Sequence, residues 1–181
     1  LPILGQRRNN KEKFSASIEK SLDLWFGLLP VGLCGGALLS QVILPIAFPT
    51  QYTDGSLGAS ATDLFMILLV GWCLTLLATP SYTALQAGEN PWKFTIFIAV
   101  VVIFATTMGF LLISSMANST AKGLHAAAIA STLSSAFLLI CSIHLAKLWD
   151  IVKQRAAEFI SCIILASITC FGFISNPALI F

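Results

Sequence analysis

Long uncharged hydrophobic stretches alternate with short polar ones along this chain. The longest extends from Phe94 to Ala121, between Lys93 and Lys122, and holds no charged side chain. A helix needs roughly 20 consecutive apolar residues to cross the hydrocarbon core of a bilayer. This stretch is longer than that, so the sequence predicts a transmembrane helix here.

Four further stretches have the same character. The predicted spans cover about residues 24–48, 64–85, 94–116, 124–146 and 159–178. The chain is 57% hydrophobic and only 10% charged, which leaves too little polar surface to cover a water-soluble core built from such helices. We therefore predict an all-α polytopic membrane protein with about five transmembrane helices.

The segment that precedes the first span, residues 1–23, is basic and amphipathic. Phe14, Ile18 and Leu22 recur at helical spacing between charged residues. The pattern predicts a helix that runs into the first span and either lies on the membrane surface or is solvated. We expect residues 1–4 (LPIL) to be the end of an earlier helix, and therefore the sequence to be part of a longer chain.

The placement of charge predicts the orientation, although the formal net charge is only +2. If the spans alternate, nine of the ten lysines and arginines fall on one side of the membrane and Lys122 alone on the other. The positive-inside rule then places residues 1–23, 86–93 and 147–157 in the cytoplasm. The expected location is the cytoplasmic membrane.

Small residues mark faces where helices are expected to pack closely. Gly32 and Gly36 are four residues apart in the first span, and Ala126, Ala130 and Ser134 form a stripe along the fourth. Small side chains at this spacing let helix backbones approach each other in a membrane. We predict helix packing at these five positions.

The first span also contains Pro30 and Pro45. Proline in a spanning helix frees a backbone carbonyl and permits a kink. Two interpretations stay open: a fixed bend that serves packing, or a helix that bends during a transport cycle.

Polar residues near the helix ends are expected to serve as caps. Ser60 or Thr62 is predicted to cap the second span, with Asp63 in its first turn. Asp23 and Glu158 are likewise interpreted as residues of helix starts that interact with the helix dipole.

The chain shows no set of residues suited to catalysis. Known nucleotide-binding, hydrolase and zinc motifs are missing from the sequence, His125 and His144 are about five helical turns apart, and the cysteines lack C-x-x-C spacing. The middles of the spans hold only neutral polar groups, such as Thr75 and the serines of the fourth span, which are expected to hydrogen-bond between helices. We predict no enzyme, cofactor, metal site or nucleic-acid partner.

The order of spans, turns and small-residue stripes carries a family resemblance. The resemblance rests on four stretches: Leu1-Pro2, Phe48 to Tyr52, Ala84 to Pro91 and Gly123 to Ala130. Together they resemble the later half of oligosaccharide and polysaccharide lipid flippases, within the multidrug/oligosaccharidyl-lipid/polysaccharide exporter superfamily. The resemblance implies a two-lobe helical bundle in which the present spans are roughly the ninth to thirteenth.

The resemblance also implies a function. Such transporters move polyprenyl-diphosphate-linked oligosaccharide, a surface polysaccharide precursor, to the outer leaflet by alternating access between their lobes. The implied partners are membrane lipid, the lipid-linked oligosaccharide and the remaining helices of the transporter. Pro49 and Ala126 stand where the family commonly has glycine, and the loop from Tyr52 to Ala59 is longer than usual. These departures affect the expected substrate class more than the expected fold. We assign no substrate-binding residue to this chain from the family.

Two alternative functions remain open. One is a multidrug-type exporter of the same superfamily. The other is a small non-catalytic membrane subunit that anchors or assembles a larger complex through its small-residue faces. A membrane-embedded enzyme is disfavoured because the sequence holds no nucleophile and base set or paired carboxylates.

Overall fold

The computed structural model of the chain describes residues 11–53, 60–87, 91–116 and 120–175. Within these ranges it contains seven helices and no strand. The helices are α1 Lys11–Ala47, α2 Thr50–Thr53, α3 Ala61–Gln86, α4 Pro91–Met116, α5 Thr120–Ala146, α6 Trp149–Gln154 and α7 Ala156–Ser175. Four of them, α1, α3, α4 and α5, are long and apolar enough to cross a membrane. The predicted all-α polytopic membrane architecture is confirmed.

The fifth predicted span, 159–178, corresponds to α7. Its apolar stretch Ala156–Thr169 is shorter than the four long helices. The end of this span lies beyond Ser175, outside the described residues, as do the LPIL stretch at the start of the chain and most of the 52–59 loop.

Helix α1 joins the predicted amphipathic segment to the first span without a break. Its 37 residues correspond to about 55 Å at the standard rise per residue, which exceeds the roughly 30 Å of a bilayer core. Ile18 and Leu22, on the predicted apolar face, are almost fully buried in the same core cluster as Leu148 and Phe159. That this segment also touches lipid stays a prediction.

Helix α3 occupies the centre of the bundle. It packs against α1, α5 and α7, whereas α4 packs mainly on α5. Among the least exposed residues are Leu29 and Leu33 of α1 and Met66, Cys73 and Leu77 of α3. Only 6% of the apolar window of α4 is buried, against 33% for α3 and for α5. Helix α4 therefore presents most of its surface to lipid or to other helices.

Ser60 caps α3, as predicted. Its Oγ accepts a hydrogen bond from the Thr62 backbone N–H at 3.2 Å and donates one to the Thr53 carbonyl at 3.0 Å. Asp63 lies in the first turn, where a carboxylate is favoured by the positive end of the helix dipole. The cap joins α3 to the short helix α2.

Helix α5 ends in a Schellman motif in which Lys147 adopts a left-handed backbone conformation, with φ of 56°. The Leu148 N–H donates to the Ile143 carbonyl at 3.1 Å, and the Lys147 N–H donates to the His144 carbonyl at 3.2 Å. Both Ile143 and Leu148 are buried, which supplies the apolar contact that accompanies this motif. The motif ends α5 sharply before α6.

Candidate functional site

A hydroxyl seam joins the two most closely packed helices, α3 and α5; we use this name for Gly71, Thr75, Thr132 and Ser135. Thr132 Oγ1 donates a hydrogen bond to the Ile67 carbonyl at 2.9 Å, and Thr75 Oγ1 donates to Ser135 Oγ at 3.1 Å. Both bonds cross from one helix to the other in apolar surroundings. The seam is neutral and holds the two helices together.

Gly71 allows this close approach. A Cβ placed there would lie only 3.2 Å from both the Thr132 Cα and the Thr132 Oγ1, and 3.5 Å from Ser135 Oγ. These distances leave no room for a methyl group without movement of the α5 backbone. The interhelical hydrogen bond of Thr75 was predictable from the sequence. Gly71 and Thr132 were not singled out, because a lone small or hydroxyl residue at mid-span is a weak signal.

The predicted glycine pair of the first span lies against α3. A Cβ at Gly32 would come within 2.7 Å of the Trp72 ring, and one at Gly36 within 2.8 Å of Leu69 Cδ1. The two glycines and their neighbours line an open groove of about 430 Å³. The groove, which we call the glycine groove, is lined by apolar side chains and by Gly32, Gly36, Leu39, Phe65, Leu68, Leu69 and Trp72.

The predicted small-residue stripe of the fourth span lies on α5. Ala126 is fully buried and Ala130 is 4% exposed. Ser134 is half-buried, and its Oγ donates to the Ala130 carbonyl of its own helix at 2.7 Å. The two alanines thus lie in the packed part of the bundle, whereas the serine hydroxyl bonds to its own helix.

A charged cluster lies at one end of the bundle, where α1 meets the start of α7; we call Arg155, Asp23, Glu158 and Phe26 the arginine cluster. Arg155 Nη2 lies 2.5 Å from Asp23 Oδ1, and Arg155 Nε lies 2.8 Å from Glu158 Oε2. Nη2 also donates to Glu158 Oε1 at 3.2 Å. Glu158 therefore receives a two-pronged bond of the kind that suits a guanidinium.

Two further contacts complete the cluster. Arg155 Nη1 donates to the Glu19 carbonyl at 3.4 Å, and the guanidinium carbon lies 5.2 Å from the centre of the Phe26 ring. That ring meets Phe159 nearly edge-on, with 5.1 Å between centres. One arginine thus contacts α1 through a carboxylate, a carbonyl and an aromatic face.

Arg155 remains charged in this setting. Burial by itself lowers the pKa of the guanidinium, but the hydrogen bonds and charges of Asp23 and Glu158 outweigh it and raise that pKa above its ordinary value. A guanidinium that cannot lose its proton is suited to binding carboxylates and not to proton transfer. The arrangement therefore joins helices and offers no acid–base chemistry.

The cluster corrects one sequence interpretation and extends another. Glu158 lies in the first turn of α7, as predicted. Asp23 is not at a helix start, because α1 extends from Lys11 past Asp23 to Ala47. Its partner is Arg155, 132 positions away in the chain, and no local pattern indicates that pairing.

His144, Cys34, Cys73 and Cys162 are not members of the arginine cluster. His144 Nδ1 accepts a hydrogen bond from the Trp149 indole at 3.3 Å. Cys73 and Cys162 are buried, and Cys34 is exposed on α1. Across the ranges given above, no three His, Cys, Asp or Glu side chains are placed to hold a metal ion.

Comparison with known proteins adds no relative. No family model, curated protein or solved structure matches this chain.

Proposed function

We propose that this chain is the helical bundle of a membrane transporter that moves polyprenyl-diphosphate-linked oligosaccharide across the cytoplasmic membrane by alternating access. The observation that carries the proposal is the contrast between two helix contacts. Helices α3 and α5 are joined by hydrogen bonds across the hydroxyl seam, whereas α1 rests on α3 through glycines beside an open groove. Alternating access needs a firm group of helices and a neighbour of which one part can move. The N-terminal half of α1 is such a part, whereas Gly32 and Gly36 keep the C-terminal half close against α3.

The glycine groove also suits part of the implied substrate. Its lining is almost entirely apolar, and it is open. A polyprenyl chain is a hydrocarbon that stays in the membrane interior while its charged head group crosses. An apolar groove between α1 and α3 therefore supports a lipid-linked substrate over a water-soluble one.

The ends of the helices support the proposed orientation. Arg155 of the 147–157 connection contacts Asp23 near the start of α1, and Tyr82 near the end of α3 contacts Phe94 near the start of α4, with ring centres 5.0 Å apart. The first contact puts two of the three segments that the charge rule assigns to the cytoplasm at one end of the bundle. The Tyr82–Phe94 contact flanks the turn of residues 86–93, which is the third of these segments.

A deletion in cells that produce the protein tests the function. We expect loss of surface polysaccharide together with accumulation of the lipid-linked oligosaccharide on the cytoplasmic side of the membrane. Restoration by the intact gene is the control. Normal polysaccharide combined with lost resistance to toxic compounds would assign the protein to the multidrug branch.

An assembly subunit is the second candidate. It is favoured by the apolar side chains that α4 leaves uncovered, among them Phe110 at 72% and Ile103 at 65% exposure. Under this alternative, deletion leaves lipid-linked oligosaccharide unchanged and instead destabilises a membrane complex. Gentle detergent extraction followed by mass measurement of the native particle separates the two candidates.

A further inference from the structure

Helix α1 consists of two halves that pack on different neighbours. In the C-terminal half, Gly32 and Gly36 face α3, and Ser40 Oγ lies 3.5 Å from Met66 Sδ of α3. These contacts tie residues 32–40 to the central helix of the bundle.

The N-terminal half packs against the start of α7 instead. Asp23 pairs with Arg155 just before α7, and Phe26 meets Phe159 within it. Further along the same face, Ile18 and Leu22 are buried in the core. The two halves therefore have separate anchors, one on α3 and one at α7.

Pro30 lies between the two anchors. Because proline has no N–H, the Phe26 carbonyl four residues earlier loses its helical hydrogen bond. Pro30 also lines an open groove of about 330 Å³ between α1 and α7, with Phe26, Ser161, Cys162 and Leu165 among the other lining residues. The helix is thus weakest at the point where it has free space beside it.

We propose that α1 is hinged at Pro30 and that Arg155 is the latch that holds its N-terminal half against α7. When the arginine cluster opens, residues 11–29 swing away from α7 while residues 31–47 stay on α3. The motion alters one end of the bundle without disturbing the hydroxyl seam.

The exposure of the cluster makes the latch reversible. The side chains of Asp23 and Glu158 are 59% and 46% exposed, and that of Arg155 is 22% exposed. Ion pairs that water can reach contribute a modest net free energy, because water replaces the lost contacts. The cluster therefore favours the closed arrangement without locking it. Since Arg155 keeps its charge, opening needs no change of protonation.

A distance measurement tests the latch in the full chain in lipid nanodiscs. Nitroxide labels at Ala16→Cys on α1 and Lys93→Cys on α4 are introduced after the native cysteines have been replaced. Helix α4 packs mainly on α5, so it serves as the reference. Pulsed electron paramagnetic resonance should give one dominant distance with Arg155 present and a second, shifted population in Arg155→Gln.

The matched control is Lys153→Gln, which removes the same charge from the same connection. Lys153 is exposed, and its loss should leave the distance distribution of the parent unchanged. Asp23→Ala gives a second test should Arg155→Gln fold poorly, because it removes only the α1 side of the latch. Pro30→Ala restores the missing N–H, so the Asp23→Ala Pro30→Ala double variant should return to one population.

Three results would overturn the proposal. They are a parental distribution in both Arg155→Gln and Asp23→Ala, an equal shift in Lys153→Gln, or a second population that persists after Pro30→Ala. The measurement uses no substrate, so it can succeed even where the polysaccharide test fails.

Discussion

The threonine hydroxyls of this bundle make two kinds of hydrogen bond. The single hydroxyl hydrogen of Thr132 has two acceptors within reach, the Ile67 carbonyl of α3 at 2.9 Å and the Ala128 carbonyl of its own helix at 3.1 Å. Thr106 Oγ1 on α4 bonds to the Val102 carbonyl of its own helix. A hydroxyl that bonds across helices contributes to their association, whereas one that bonds to its own helix does not.

Thr132→Val should therefore weaken the bundle. The change keeps the side-chain shape and removes the bond to Ile67, at a cost of about 1 kcal/mol in the free energy of unfolding, typical of interhelical bonds in membranes. Denaturation in mixed detergent micelles measures the difference. Thr106→Val is the control, and an equal loss in both variants would show that the bond between helices adds nothing.

Gly71→Ala should cost more than its single methyl group suggests. The new Cβ would meet the α5 backbone at 3.2 Å, and such overpacking costs about 1–3 kcal/mol. Gly109→Ala on α4 adds the same methyl where no atom lies within 4 Å and should cause no loss. Micelle unfolding of the two variants, side by side, decides the point, and equal stability would contradict the close approach of α3 and α5.

At the scale of elements, α1 is the helix whose contact with its neighbour depends most on glycine. The Gly32→Leu Gly36→Leu double variant should lower the yield of folded protein in membranes, because both side chains would enter space filled by Trp72 and Leu69. Gly35→Leu is the matched control, since a Cβ there has no atom within 4 Å. Parental yield from the double variant would refute close packing of α1 on α3.

The existence and type of the long helices could be predicted from the sequence, because an uncharged run of spanning length has few other stable forms. Which helices pack against each other could not be predicted. Small residues indicated that α1 and α5 pack closely, but Gly71 in α3 is a single glycine without a repeat. The pairing of Asp23 with Arg155 depends on which helix ends meet, and this follows from the folded bundle alone.

At the scale of the whole molecule, the two ends of the bundle should differ in access from the cell exterior. Cysteines at Ala16 and Lys153 should react with a membrane-impermeant maleimide only after permeabilisation, and one at Tyr52 in intact cells. All three positions are exposed, so failure to react reports the side of the membrane. Labelling of Ala16→Cys in intact cells would reverse the proposed orientation.

The middle of the bundle should be dry. Cys34 is exposed on α1, where we expect it to face lipid or a further helix. An impermeant thiol reagent should leave Cys34 unmodified, while a lipid-soluble maleimide modifies it. The same is predicted for Cys170, whose side chain lies outside the described part of the chain. Rapid labelling of either by the impermeant reagent would reveal a water-filled cavity.

Lys147, which follows α5 in a left-handed backbone conformation, affects both the stability of the fold and the orientation of the helices in the membrane. Glycine is the usual residue at that place in the motif, and a residue with a Cβ there costs roughly 1 kcal/mol more. Lys147 is also one of the basic residues that the charge rule counts for the cytoplasmic side. Lys147→Gly should therefore raise the free energy of unfolding by about 1 kcal/mol while it increases the fraction of chains inserted in the wrong orientation. Lysine at position 147 gives a less stable fold than glycine would. During biosynthesis, however, its positive charge favours the correct orientation of the helices.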